Sequence, residues 1–177
     1  MSKEGEFMNH LFQGLLAVDH TDVFNFFASG LKDEIGERNI RRDEFFYVVS
    51  VLANFAQVPR YCEEGMPISC NFSEIFDRFI IPTDLLIDAE ILEDAGAQTL
   101  FLAGFFRDQM KHRHNVLWYD EIGQSFYDKA CQYEKDYQRR ILFNHMAESF
   151  KVWAIICRNL SRSLRDRRYI SVLNWVE

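Results

Sequence analysis

The residues with the clearest chemical potential in this sequence are a run of arginines near its end. Arg158, Arg162 and Arg165 recur at i, i+4 and i+7, so a helix carries all three on one face, and Arg167 and Arg168 extend the patch. Trp153, Ile156, Leu160 and Leu164 fall on another face of the same helix. Guanidinium groups bind carboxylates and phosphates through planar, often bidentate hydrogen bonds. A basic amphipathic helix of this kind meets an acidic protein, an anionic surface, phosphates or an acidic stretch of its own chain. An acidic protein surface is the expected external partner. An isoelectric point near 5.3 argues against nucleic acid as the main one.

Metal and nucleophile chemistry find less support. A di-iron bundle needs Glu-x-x-His on two helices, so that carboxylate and imidazole share a face. The chain has none; His145 with Glu148 has the order reversed, and Asp108 with His112 stands at i, i+4. His112 and His114, in Lys-His-Arg-His-Asn, have the spacing of a loop metal pair, yet nothing nominates a third and fourth ligand. A solvated basic turn is the simpler reading, and neither a metal nor a cofactor is expected. His10 and His20 are isolated. No Gly-x-Ser-x-Gly, phosphate-binding glycine loop or dinucleotide fingerprint occurs. Cys62, Cys70, Cys131 and Cys157 lack ligand-like spacing and read as free thiols in a reducing compartment.

A different kind of site is a small-ligand pocket between helices. Tyr119 and Tyr127 are eight residues apart, so one helical face holds both, and Gly123 opens space between them. Trp118 starts a parallel row with Ile122 and Phe126. The competing reading has both rings buried and both hydroxyls satisfied inside the core.

The elements that position these residues are helical throughout. Apolar residues recur at helical spacing over Phe7 to Val18, and over Val23, Phe26, Phe27 and Leu31, with Thr21 as the expected N-cap and Gly36 as the stop. From Asp43 the next helix sets Phe46, Val49, Leu52, Ala53 and Ala56 on one side. Val48, Val49 and Val51 also suit a strand, but no neighbouring stretch offers a partner or a hairpin turn. Gln57 to Cys70 reads as irregular. Asn71 or Ser73 caps a short helix through Phe79, and Pro82 and Thr83 open another that gives way near Asp94 or Gly96.

Gln98 to Ala130 forms the centre: two apolar helices joined by a short basic link, with Asn115 as N-cap of the second. Ala95, Thr99 and Ala103 recur every fourth residue, as do Gly96, Leu100 and Gly104, which admits a close neighbour. A long helix begins near Tyr133 and a short one spans Tyr169 to Val176.

The hairpin residues Phe101, Gly104, Phe105, Phe106 and Arg113, then Tyr119, Gly123 and Tyr127, are similar to the Phe-x-x-Gly-Phe-Phe, basic link, Tyr-x-x-x-Gly-x-x-x-Tyr pattern of an uncharacterised bacterial all-helical family. Arg107-Asp108 stands where that pattern has Pro-Glu. The resemblance implies a bacterial cytoplasmic helical domain and brings no activity.

The expected fold is therefore all-α: one domain over residues 1–177, with 1–6 frayed and about seven or eight helices forming an irregular bundle around the hairpin. No signal peptide or spanning segment is read. The net charge of −7 is unevenly spread. Nine acids against Arg78 give Glu63–Asp94 a net −8, and nine bases against three acids give Lys135–Arg168 a net +6, so the two can attract each other. An aromatic content of 15% leaves room for a helix-mediated homodimer. The functional expectation is a non-enzymatic adaptor or regulator using the Arg158–Arg168 surface; the alternative is a small-ligand or metal protein using the hairpin.

Overall fold

A computed structural model describes residues 11, 14–16, 18–57, 88–110 and 116–166. These residues are helical apart from short connections, and they contain no strand. Six helices are defined among them: α1 (His20–Ile35), α2 (Arg42–Gln57), α3 (Ala89–Phe105), α4 (Arg107–Met110), α5 (Val116–Tyr133) and α6 (Tyr137–Asp166). The sequence reading of seven or eight helices includes segments outside the described residues, among them Asn71–Phe79 and Tyr169–Val176. No helix among the described residues is long and apolar enough to cross a membrane.

Helix boundaries follow their caps. Asp19, rather than Thr21, is the N-cap of α1, its carboxylate accepting from the Thr21 amide at 2.8 Å. A carboxylate makes the better cap here because it also faces the positive end of the helix dipole. Gly36 ends α1 at φ 57°, where a Cβ would be strained, and Arg38 donates to the terminal carbonyls of Glu34 and Ile35. The expected break near Asp94 or Gly96 does not occur. Asp88 caps the Glu90 amide at 2.8 Å, and α3 runs unbroken to Phe105 because the small residues lie inside a packed helix rather than at its end. At the other turn, Asp136 accepts from the Arg139 amide at 2.8 Å and starts α6, four residues later than Tyr133.

Helices α3, α5 and α6 form the centre. Leu92, Ala95, Leu100, Phe101, Leu102, Ala103 and Phe105 of α3 are all buried, so α3 is apolar on nearly every side, as a central helix should be. A Cβ on Gly96 would sit 2.9 Å from the Tyr127 ring of α5, and one on Gly104 would sit 2.6 Å from Cys157 Cβ of α6. One on Gly123 of α5 would lie 2.0 Å from Phe150 of α6. These contacts make α5 antiparallel to both neighbours and α3 parallel to α6.

Helices α1 and α2 cover this trio, with Phe27 edge-on to Phe105 and Phe55 stacked on Phe101. The buried side of α2 is Val48, Val49, Val51, Leu52, Ala53 and Ala56, and the valine run is helical. Phe46, expected inside, is 41% exposed and lies beneath the Arg42 guanidinium and beside Phe24.

Gly123→Ala should therefore lower stability by about 2 kcal/mol or more through overpacking against Phe150. Urea unfolding of the single variant and of Gly123→Ala with Phe150→Leu checks this; the second change should recover part of the loss.

Candidate functional site

The apolar face of α6 decides where its arginines go. Trp153, Ile156, Leu160 and Leu164 are all buried, which leaves Arg158, Arg162 and Arg165 on the flank beside α4. There they converge on one carboxylate, Asp108. Arg158 Nε donates to Oδ1 at 2.8 Å and Arg165 Nη2 to Oδ2 at 3.1 Å. Arg162 grips both oxygens, through Nε to Oδ2 and through Nη2 to Oδ1 at 3.1 Å. Arg165 Nε also donates to the Ser161 carbonyl. Beside this cluster, Arg107 forms a two-pronged pair with Asp120 at 2.8 and 2.9 Å, with Asp120 buried. Arg167 and Arg168 lie outside the described residues.

Among the described residues, Asp108 is the carboxylate on which these arginines converge, and Glu63, Glu64, Glu74, Asp77 and Asp84 of the acidic segment lie outside the described residues. Of that segment, the acids Asp88, Glu90, Glu93 and Asp94 are described, and Glu93 does meet the basic stretch, accepting from Arg139 Nη2 at 2.6 Å.

No family model matches the chain, and no curated protein and no solved structure matches it either.

The second group of predicted residues lies along α5. Tyr119 and Tyr127 are buried, and Trp118 is 36% exposed, so the inward row is Tyr119, Gly123, Phe126, Tyr127 and Ala130. The space at Gly123 is taken by the Phe150 ring. Tyr127 Oη is 3.1 Å from Tyr47 Oη of α2, and Tyr47 lies close enough to the Glu93 carboxylate of α3 for each to shift the other's titration. Arg139 of α6 joins Glu93 to Glu134 and lies over the Phe143 ring. Four helices therefore meet in one polar chain. Burial pushes both tyrosines, Tyr47 and Tyr127, well above the usual phenol value and keeps them protonated donors. Burial likewise raises the Tyr119 phenol, and pushes the Cys157 thiol up to about 12, far from the thiolate that nucleophilic chemistry needs.

The metal candidates do not gather. Glu148 is exposed and accepts from Asn144, while His145 Nδ1 is buried without a hydrogen-bond partner among the described residues. His112 and His114 lie outside the described residues. Among the described residues, no three His, Cys, Asp or Glu side chains are grouped to hold a metal ion.

Three polar anchors escaped the sequence reading. Glu44 is buried, its Oε2 accepting from Ser149 Oγ and Trp153 Nε1, each at 2.8 Å. Its place four residues before Val48 and eight before Leu52 sets it on the buried stripe of α2, so periodicity alone marks it. Glu93 shows the same sign, four residues before buried Ala97 and seven before buried Leu100. Asp108 has no local sign; only the antiparallel return of α6 brings the arginines to it.

Glu93 offers a pH test. Burial raises its carboxyl pKa, against the opposing pull of Arg139 and Tyr47. A carboxyl with a raised native pKa binds more protons folded than unfolded, so its contribution falls as pH climbs through that pKa. The stability of Glu93→Gln relative to the parent should thus improve as pH rises from about 4 to about 6. Denaturant unfolding at stepped pH reads this out, and a difference that stays flat or runs the other way rejects it.

Proposed function

We propose that this chain is an interaction protein whose α6 arginine surface receives an acidic segment of a partner. The observation that carries the reading is the convergence of Arg158, Arg162 and Arg165 on a single carboxylate. Long, flexible cations normally lose considerable side-chain entropy on binding. Here α6 fixes their backbones, and hydrogen bonds to Asp108 hold their guanidiniums, so part of that ordering is complete before a partner arrives. Residues 158–168 contain five arginines against Asp166, which keeps this end of α6 basic even with Asp108 counted. Arg162, 46% exposed, is the member most open to contact. A matching surface would present aspartates or glutamates, since planar carboxylates fit the guanidinium fork.

The expected behaviour is electrostatic. A labelled deca-glutamate peptide should bind at low salt and weaken as ionic strength rises. Arg162→Glu should reduce that affinity by about tenfold or more, in line with the roughly 1.5–3 kcal/mol attached to a hydrogen bond to a charged group. Fluorescence anisotropy over a salt series provides the measurement, with circular-dichroism melting as the check on folding. Absence of binding at low salt, or equal binding by a folded Arg162→Glu variant, would falsify the assignment.

A further inference from the structure

An exposed apolar seam runs beside the basic flank of α6. Val152 and Ile155 of α6 are 41% and 46% exposed, and Leu117 of α5 is 65% exposed. Gln124 of α5 donates to the Ala147 carbonyl of α6 at 3.1 Å, which sets that flank of α5 against this side of α6. Leu117 stands seven residues before Gln124, on the same flank. Because α5 runs antiparallel to α6, two turns back along α5 is about two turns forward along α6, at Ala154 and Ile155. Leu117, Ile155 and Val152 therefore lie together on the outer side of the two helices.

The charges along this seam have a direction. Lys151, Arg158 and Arg162 stand four residues before, three after and seven after Ile155, so they share its flank of α6. Lys151 is exposed, as is 46% of the Arg162 side chain. The bordering acids, Glu121 and Glu148, are also exposed. Glu121 is one turn beyond Leu117 in α5, and Glu148 one turn before Val152 in α6. In antiparallel helices these steps run the same way, so both acids stand towards the end of the seam away from Arg158 and Arg162.

From this placement we infer that the acidic segment of the partner is an amphipathic helix. Its apolar stripe covers Leu117, Val152 and Ile155, and its carboxylates meet the basic flank. The inference rests on the acidic-partner reading proposed above and adds the conformation and apolar content of the segment. An extended polyacid would satisfy the cations and leave three large apolar side chains in water. A helix carries an apolar stripe and an acidic stripe on adjoining faces, which is the arrangement the seam and its basic flank require. Lys151 to Arg162 spans about 17 Å along α6, the length of about three helical turns. Apolar burial, unlike attraction between exposed charges, is not screened by salt, so the two contributions separate by experiment.

The probes are deca-glutamate and two peptides of identical composition built from glutamate, leucine and alanine. In one, the leucines recur at i, i+3, i+4 and i+7 beside a glutamate stripe; in the other, the same residues are scrambled over all faces. Fluorescence anisotropy is read against the parent protein, Ile155→Ser, Leu117→Ser and Phe46→Ser, each checked for folding by circular dichroism. Ile155 and Leu117 are exposed, so either replacement leaves the core intact, and Phe46 is an exposed apolar residue of α2 outside the seam. The striped peptide should bind the parent about tenfold tighter than the scrambled one and retain binding at a salt concentration that releases deca-glutamate. Ile155→Ser and Leu117→Ser should each remove most of that advantage and leave deca-glutamate binding unchanged, while Phe46→Ser changes neither. Equal binding of the striped and scrambled peptides, or an advantage that survives both seam variants, overturns the amphipathic-helix inference. A loss in Phe46→Ser as large as in the seam variants also overturns it. In each of these cases, deca-glutamate binding to the parent leaves the acidic-partner reading standing. No binding of any peptide to the parent at low salt overturns both.

Discussion

Close approach of α3, α5 and α6 is the constraint on which the rest of this structure depends. Tyr127 lies against Gly96, Cys157 against Gly104 and Phe150 against Gly123, so in each pair one helix gives up a side chain to admit a bulky neighbour. Packing at that distance brings backbones and side chains to crystal-like density, and small changes of volume are then felt at once. It also fixes axial register. Once Tyr127 sits on Gly96 and Phe150 on Gly123, Glu93 must lie near the start of α6 and Asp108 near its end. Both polar assemblies follow from the apolar contacts between them.

The two ends of this trio resolve their charges differently. At one end, the Tyr127–Tyr47–Glu93–Arg139 chain is largely enclosed, and every helix but α1 and α4 contributes a member. Its groups are neutral phenols and one carboxylate that reaches out to the exposed Arg139 guanidinium. Burial makes such a chain specific about geometry, because any helix that shifts leaves a polar group without its partner. At the other end, the charges are many. Three guanidiniums share Asp108, while Arg107 and Asp120 pair beside them. The first assembly locks the bundle; the second gathers charge at its surface.

Much of this was legible in the sequence because much of it is local. The helical class, the central place of Leu100–Phe106, the Gly36 stop and the split of α6 into apolar and arginine faces all come from spacing within single helices. So does the expectation that Ala95, Gly96 and Gly104 admit a close neighbour. Phe46 shares a stripe with Val49 and Leu52 yet is exposed, because a stripe of apolar residues is wider than the contact it serves, and rings at its margins end at the surface. Asp94 and Gly96 looked like a helix end because small and acidic residues often are one; here packing overrides that propensity. Pairings between distant elements were not legible at all. Nothing near Asp108 announces three arginines fifty residues on. Net charge ranks segments by attraction, but topology decides which of them meet.

That distinction bears on what the arginine end of α6 is suited to do. Convergence on Asp108 brings the three guanidiniums close together. Such a cluster recognises shape as well as sign, because the bidentate fork of Arg162 fits a planar anion better than a diffuse negative surface. Under the proposed reading, recognition at this end is set by α6. The apolar register that holds α6 in place would then contribute directly to recognition, although none of its residues touches the partner.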